Sequence, residues 1–321
     1  MKPGNQTITA HFLLLAFAFQ GKMQFLFFTM ISIMFLAILI GNSLIVVITT
    51  IDPLLHTPMY HFLKNLALTE ICYSLTIVPK MLTILLVERK RISFTACALQ
   101  LNCVILFVTC ECFLLGVMAY DRQVAICHPL HYATMMSRSR CFNMVLGSWL
   151  SGVPVALGFT VWLFTMPFCG RNVIDHFFCD VPPVLKLVCA DTALFELLIF
   201  VAIVIIVMIP FSLIAISYLC IIHAILQIPL AVGQRQAIST CAAHLVVVTL
   251  FYSTTGIIHL RPKSSLSSNM KKIVSLSYTV VTPMLNPIIY TLRNQEVKQS
   301  LRRCIDKWLF RKQIAVFSLS R

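Results

Sequence analysis

The sequence predicts an all-α protein: a bundle of seven transmembrane helices followed by a short amphipathic helix on the inner membrane surface. Three observations carry that expectation. Of 321 residues, 59% are hydrophobic and only 11% are charged, against roughly 25% charged in a soluble domain. Apolar runs long enough to cross about 30 Å of hydrocarbon, which takes about 20 helical residues, recur along the chain with short polar gaps. These runs lack the alternating polarity of a barrel strand, and helices are the only open-ended structure that satisfies every backbone group in lipid.

Hydropathy places the spans at residues 25–49, 58–86, 98–127, 142–164, 194–226, 237–260 and 272–292. The chain divides accordingly into an outer segment 1–24, a membrane domain 25–292 and an inner tail 293–321. An odd number of spans puts the termini on opposite sides. Within the first segment, Lys2, the apolar residues 12–19 and Ala16-Phe17-Ala18 imitate a cleaved signal peptide. Cleavage there would discard Asn5-Gln6-Thr7, a glycosylation acceptor that is useful only on an exposed outer segment. A retained N-terminus with a glycan at Asn5 is the expectation. In the tail, residues 294–309 set Val297, Leu301, Ile305, Trp308 and Leu309 against Lys298, Arg302, Arg303 and Lys307, the pattern of a helix lying on a membrane. A basic tail without order is the plainer alternative.

The net charge of +14 comes from bases dispersed in loops and gathered in that tail, which fits contact with a membrane surface and not nucleic acid. Charge does not orient the bundle, because 13 of the 25 Lys and Arg residues fall on the inner side and 12 on the outer. Cysteine does. Of 13 cysteines, nine lie in or beside apolar spans, while Cys97, Cys169, Cys179 and Cys189 lie in loops on the face that carries the sequon. An even set of loop cysteines fits disulfides formed in an oxidising compartment, and four allow three pairings. A zinc site from these with His176 lacks paired ligand spacing.

Polar residues inside the spans are few and therefore informative. Glu70 and Glu111 both fall near mid-membrane, with Asn42 and Asn286 at comparable depth. Two facing carboxylates do not both ionise without a cation, so either one keeps a proton or a small ion sits between them; two independent neutral acids are the equal alternative. Asp121-Arg122 ends the third span, either as a donor pair for an inner partner or as a terminal pair at the headgroups. Pro210, Pro283 and Pro287 interrupt spans and supply hinges. No phosphate-cradling loop, His-Glu-x-x-His or nucleophile elbow is present, so catalysis is not expected. The absence of an internal repeat argues against a transporter and the apolar spans against a channel.

Longer motifs carry a resemblance. Met118-Ala119-Tyr120-Asp121-Arg122, then Val124-Ala125-Ile126-Cys127-His128-Pro129-Leu130-His131-Tyr132, resembles the odorant-receptor signature at the end of helix three. Gly41-Asn42, Pro58-Met59-Tyr60, Ser217-Tyr218, Ser239-Thr240-Cys241 and Pro283-Met284-Leu285-Asn286-Pro287-Ile288-Ile289-Tyr290 extend the likeness over nearly the whole chain. The chain is thus similar to tetrapod-type odorant receptors of the rhodopsin-like G-protein-coupled class. The resemblance implies a plasma-membrane receptor with an outer N-terminus, and disulfides Cys97–Cys179 and Cys169–Cys189. It further implies that Arg122 engages the G protein while Tyr218 and Tyr290 stabilise the open state. No cofactor is implied other than a sodium ion at Glu70 and Glu111. The family usually has aspartate where Glu70 stands, tyrosine at Gln123 and lysine at Gln236, so the sodium transfer is weakened and coupling strength is open.

For the ligand, the outer half between helices three, five and six should form a water-poor pocket with a few polar anchors. Helical spacing selects Ile105, Val108, Thr109 and Cys112 on helix three, and Tyr252, Thr255, Gly256 and His259 on helix six. Ile203, Ile206 and Val207 would close the third wall. Thr109, Tyr252, Thr255 and His259 could each hydrogen-bond one ligand atom, and no buried ion pair awaits an amine. The expected ligand is a small, volatile, neutral and largely apolar molecule, and the expected partner a stimulatory, olfactory-type heterotrimeric G protein that raises cAMP. Helix packing is the alternative role for each wall residue. A non-olfactory small-molecule receptor is the alternative function, with a transporter far behind.

Overall fold

Several helices begin or end where the sequence provides a stop. Ser93 caps the third, its Oγ accepting from Ala96 N at 3.2 Å. Pro58 opens the second, its missing N–H being one the first helical turn leaves unpaired in any case. Asp52 accepts from Leu54 N at 3.1 Å and turns the chain between the first two. The computed structural model describes residues 11–17, 21–87, 90–169, 172–227, 231–259, 268–293 and 296–304. Within these lie α1 (Lys22–Ile51), α2 (Pro58–Leu86), α3 (Phe94–Cys127), α4 (Arg138–Thr165), α5 (Ala193–Leu226) and α6 (Ala231–His259). The seventh, α7, runs as Ser268–Leu276, a π-helical turn Ser277–Val281, and Thr282–Arg293.

Among the described residues, α1 to α5 and α7 are long and apolar enough to cross a membrane. The helices outrun the apolar spans: α1 starts at Lys22 and α4 at Arg138, because hydropathy stops at the headgroups whereas backbone hydrogen bonding continues to the cap. Side chains such as Phe25, Leu36, Phe200, Ile209 and Leu219 point outward, as a lipid-facing surface requires.

At the centre stands α3, packed along α2, α4 and α5. Small residues set its distances. A Cβ on Gly152 of α4 would lie 2.9 Å from Leu106 Cδ1, and one on Gly116 would lie 3.2 Å from Pro210 Cβ of α5. Gly41 of α1 meets the ring of Pro287 on α7 in the same way, at 2.8 Å. Two apolar clusters fill the interior. One, around Leu66, Leu114, Leu115, Tyr218 and Val247, fills the end bearing Arg122 and extends up the bundle to Cys112, Val207 and Tyr252; the other, around Tyr73, Ile77, Leu101, Phe177 and Phe178, occupies the opposite end.

That opposite end, called outer here, carries both disulfides: Cys97–Cys179, which staples the loop after α4 to α3, and Cys169–Cys189 within that loop. It also carries an element absent from the expectation. Strand β1 (His11–Leu14) lies between β2 (Arg91–Ser93), to which it is antiparallel, and β3 (Val173–Ile174), to which it is parallel. The bundle is helical, but residues 12–19, which imitate a signal peptide in sequence, begin as this strand. Alternation sends Phe12 and Leu14 to one face, where both are fully buried. Asn5 and residues 305–321 lie outside the described residues. Residues 296–304 are helical, with Val297 and Ser300 buried. Arg303 Nη2 reaches Asp52 Oδ2 at 2.8 Å, and Tyr60 OH donates to Glu296 Oε2 at 2.6 Å. With Ser300 and Arg303 beside it, the Asp52 carboxyl is held down at about 2, so this brace stays charged throughout the physiological range.

Candidate functional site

Three levels of the bundle hold the chemistry. In the outer half, Cys112, Val207, Phe251 and Tyr252 belong to one buried cluster, with Val108, Ile203 and Ile206 half-buried against it. These residues pack α3, α5 and α6 together, with Ile105 a half-buried neighbour on the outer cluster. Tyr252 crosses from α6 to α3, donating to the Cys112 carbonyl at 3.2 Å, and its ring lies 5.7 Å from Phe211 of α5. Thr109 is placed differently. Its Oγ1 donates to Ile105 O at 2.7 Å, and its Cβ is 3.5 Å from where a Cβ on Gly152 of α4 would stand. In this state it serves the α3–α4 contact. Thr255 is buried and Gly256 half-buried; the His259 and Gln236 side chains lie outside the described residues.

Above this level the cap is latched. Lys272 Nζ bonds Asp175 Oδ1 at 2.6 Å and Ala16 O at 3.2 Å. His176 Nε2 lies 3.1 Å from Ser275 Oγ. Burial lowers the His176 pKa to about 4, the Asp180 charge partly opposing and Lys272 reinforcing the shift, so its ring is neutral at physiological pH. Gln100 ties the same loop to α2, accepting from Cys179 N at 2.9 Å and donating to Thr76 O at 2.9 Å.

At mid-membrane, Asn286 Nδ2 donates to Glu70 Oε1. Asn42 Nδ2 donates to Ile38 O at 3.1 Å and Pro283 O at 3.3 Å, fixing α1 against α7. Glu70 Oε2, Ser74 Oγ, Glu111 Oε1 and Asn286 Oδ1 are buried without a hydrogen-bond partner. Orphaned buried oxygens are costly and call for an explanation. Four oxygens from α2, α3 and α7, two of them carboxylate, suit a hard monovalent cation such as sodium. Among the described residues no group of three or more His, Cys, Asp or Glu is placed to hold a metal ion.

At the inner end, Asp121 Oδ2 lies 3.6 Å from Arg122 Nη2, and Tyr132 OH donates to Asp121 Oδ1 at 2.8 Å. Burial and the Asp121 carboxylate push the Tyr132 pKa upward, so the hydroxyl keeps its proton and remains a donor. Tyr218 OH lies 2.7 Å from His244 Nδ1 and donates weakly to Cys241 O at 3.4 Å, tying α5 to α6. Ser217 Oγ donates to Gln123 Oε1 at 3.0 Å, tying α5 to α3. Arg122 lies within electrostatic reach of Tyr218, His244 and Tyr290, and Tyr290 OH is buried without a partner. Sequence reasoning missed His244; a lone histidine inside an apolar span was the available signal. It also gave no role to Leu130, which stands 93% exposed on the turn Pro129–His131.

The profile of the olfactory receptor family matches residues 31–310. Human olfactory receptor 10A7 is 51% identical over 308 residues, covering 96% of this chain and 98% of that protein. Human olfactory receptor 10A5 is 52% identical over 310 residues, with 96% and 98% covered, and 10A2 is 54% identical over 284, with 88% and 93% covered. Seven helices, an Asp-Arg pair at the inner end of α3 and matches of this length agree: the chain belongs to the olfactory receptor family, multi-pass plasma-membrane receptors of the G-protein-coupled class.

Proposed function

We propose that a small, neutral, largely apolar volatile ligand binds between α3, α5 and α6, and that the response is activation of a stimulatory, olfactory-type heterotrimeric G protein with a rise in cAMP. The observation that carries this is the Tyr252 hydroxyl on the Cys112 carbonyl: one α6 side chain both lines the apolar wall and holds α6 to α3. Ligand contact with Val108, Ile203 and Ile206 is worth about 25 cal/mol per Å2 of apolar area buried. Such burial favours activity only where the ligand fits the open arrangement better, since equal affinity shifts nothing. Movement of α6 would then part Tyr218 from His244 and leave Tyr218, Tyr290 and Arg122 to support an open inner face. Leu130 and Arg122 are offered there to the G protein.

The N-terminus is assigned to the outside, with both disulfides and the Asn5 sequon. Glu70, Glu111, Asn286 and Ser74 would hold a sodium ion, which supplies only charge: it offsets two acids and draws α2, α3 and α7 together. The test is cAMP accumulation in cells that co-express the chain with the olfactory stimulatory G protein, against an odorant panel, with Arg122→Ala at matched surface expression. A dose-dependent response lost in the variant is expected. A response that survives Arg122→Ala would overturn the coupling assignment.

A further inference from the structure

Cations crowd one place on the outer end without a counter-charge. The outer loops and helix ends hold 12 of the 25 Lys and Arg residues against five acids, Glu88, Asp175, Asp180, Asp191 and Glu196, an excess that runs against the usual gathering of bases on the inner side. The described acids are committed elsewhere. Asp175 takes Lys272 at 2.6 Å, Asp180 accepts from Val181 N at 2.8 Å, Asp191 from Ala193 N at 2.9 Å and Glu196 from Thr192 Oγ1 at 3.0 Å. The bases meet where α2 approaches β2. Lys80 stands roughly two turns before the end of α2, and its Nζ donates to Arg91 O at 2.6 Å. A lysine near the end of a span carries its charge to the headgroups in this way. Lys90 O accepts from Leu14 N at 2.8 Å and Arg91 pairs with Leu13 across the sheet. Alternation buries Ile92 and leaves Arg91 exposed. Three cationic residues thus share one stretch of backbone, and among the described residues no carboxylate lies within ion-pair distance of Lys80, Lys90 or Arg91. Glu88 and Arg89 lie outside the described residues; with both counted, residues 80–91 still hold four bases to one acid. Beside the cations, Leu86 and Val87 are exposed, so the patch is apolar on its membrane side and cationic above.

We propose that this patch is a docking surface for an acidic glycolipid of the outer leaflet, one whose sugar headgroup carries a sulfate or carboxylate. The inference rests on reading the disulfide-bearing end as outer. Gathered like charges repel one another, and an anion among them converts that repulsion into attraction. The Arg91 guanidinium offers a planar fork to two oxygens of such a group, and the Lys90 ammonium a point charge. Depth selects a lipid over a soluble polyanion. Lys80 belongs to a membrane span, and Leu86 and Val87 offer contact to acyl chains directly below the cations, which a free sugar would leave unused. Because Arg91 is hydrogen-bonded into the sheet with Leu13, a lipid held there fastens the first outer loop and the N-terminal strand to the membrane surface.

The test is native mass spectrometry of the purified full-length receptor, with sulfated galactosylceramide as probe and unsulfated galactosylceramide as control. The wild type should retain the sulfated lipid and not its parent. Lys90 and Arg91 serve the sheet through their backbone, so Lys90→Gln with Arg91→Gln should fold, with an unchanged melting temperature, and weaken retention by about fivefold for each base removed. Arg138→Gln with Arg140→Gln, an exposed pair at the inner end, should retain the lipid as the wild type does. Equal retention by the Lys90 and Arg91 variant overturns the patch, as does equal retention of the two lipids by the wild type. Displacement by an equal concentration of soluble galactose 3-sulfate overturns the lipid as occupant in favour of a free sulfated sugar. Orientation is read separately, by antibody staining of intact cells that carry a tag ahead of His11. Staining only after permeabilisation overturns the outer assignment and the outer-leaflet source with it, whereas surface staining with failed retention overturns the docking surface alone.

Discussion

The Tyr218 hydroxyl of α5 lies 2.7 Å from Nδ1 of His244 on α6, and both residues are buried at the inner end, within electrostatic reach of Arg122. If the inner face opens as proposed, these two helices separate, and the bond then belongs to the closed state. A neutral hydrogen bond contributes about 1 kcal/mol, roughly a fivefold change in a two-state equilibrium. His244→Phe should therefore raise basal cAMP several-fold at equal surface expression. Unchanged or lower basal cAMP would remove His244 from the switch.

In the outer half the two hydroxyls near the proposed ligand wall should behave differently. Thr109 is bonded to its own helix and turned to α4, whereas Tyr252 bridges to α3. Thr109→Val should leave the half-maximal odorant concentration within about twofold of wild type, while Tyr252→Phe, which loses an interhelical bond, should shift it by about fivefold. The reverse order in dose-response curves would return Thr109 to the ligand contact.

The α1–α7 contact offers a stability test with an internal control. A methyl at Gly41 would stand 2.8 Å from Pro287 Cγ, whereas one at Gly147 meets nothing within 4 Å. A proline ring cannot swing aside, so Gly41→Ala should cost about 1–3 kcal/mol and lower the melting temperature of the purified receptor. Gly147→Ala, in an open helical position, should be neutral or slightly stabilising. Equal melting temperatures for the two variants would contradict the packing.

His176 gives the outer cap a pH dependence of known sign. Its folded pKa lies at about 4, below the ordinary value of about 6.5, so the unfolded chain takes up the proton first as pH falls. The contribution is fully present above about 6.5 and is lost progressively toward 4, by up to about 3 kcal/mol. Melting temperature measured across that range should fall more steeply for the wild type than for His176→Gln. Parallel profiles would show that another group governs acid sensitivity.

The spans were legible because hydrocarbon tolerates one open-ended backbone solution and each helix needs an apolar run to use it. Faces within the spans were less so. The spacing of Ile105, Val108, Thr109 and Cys112 selects one side of α3, but α3 is wrapped by α2, α4 and α5 and the period does not say which neighbour a residue meets. Thr109 therefore fell to α4. The Asp121-Arg122 pair stood out because two charges close an apolar span, while His244, one polar side chain among aliphatics, has its meaning only through Tyr218, 26 residues away. Strand β1 was hidden for another reason. Four residues are too few for periodicity, and their pairing depends on residues 91–93 and 173–174, remote in sequence.

That strand bears on how the protein passes cellular quality control. Leu13 N donates to Asn172 O at 2.7 Å, Leu14 N to Lys90 O at 2.8 Å and Leu15 N to Ile174 O at 2.9 Å, so three distant stretches of chain complete one another at the outer end. A reporter tag ending before His11 leaves this joint intact. A truncation through Leu14 would bare the apolar walls that Phe12 and Leu14 cover and strand the backbone groups of the other two segments, the surface that chaperones retain. Failure of such a shortened receptor to reach the cell surface would then report a missing structural part, and not a missing sorting signal.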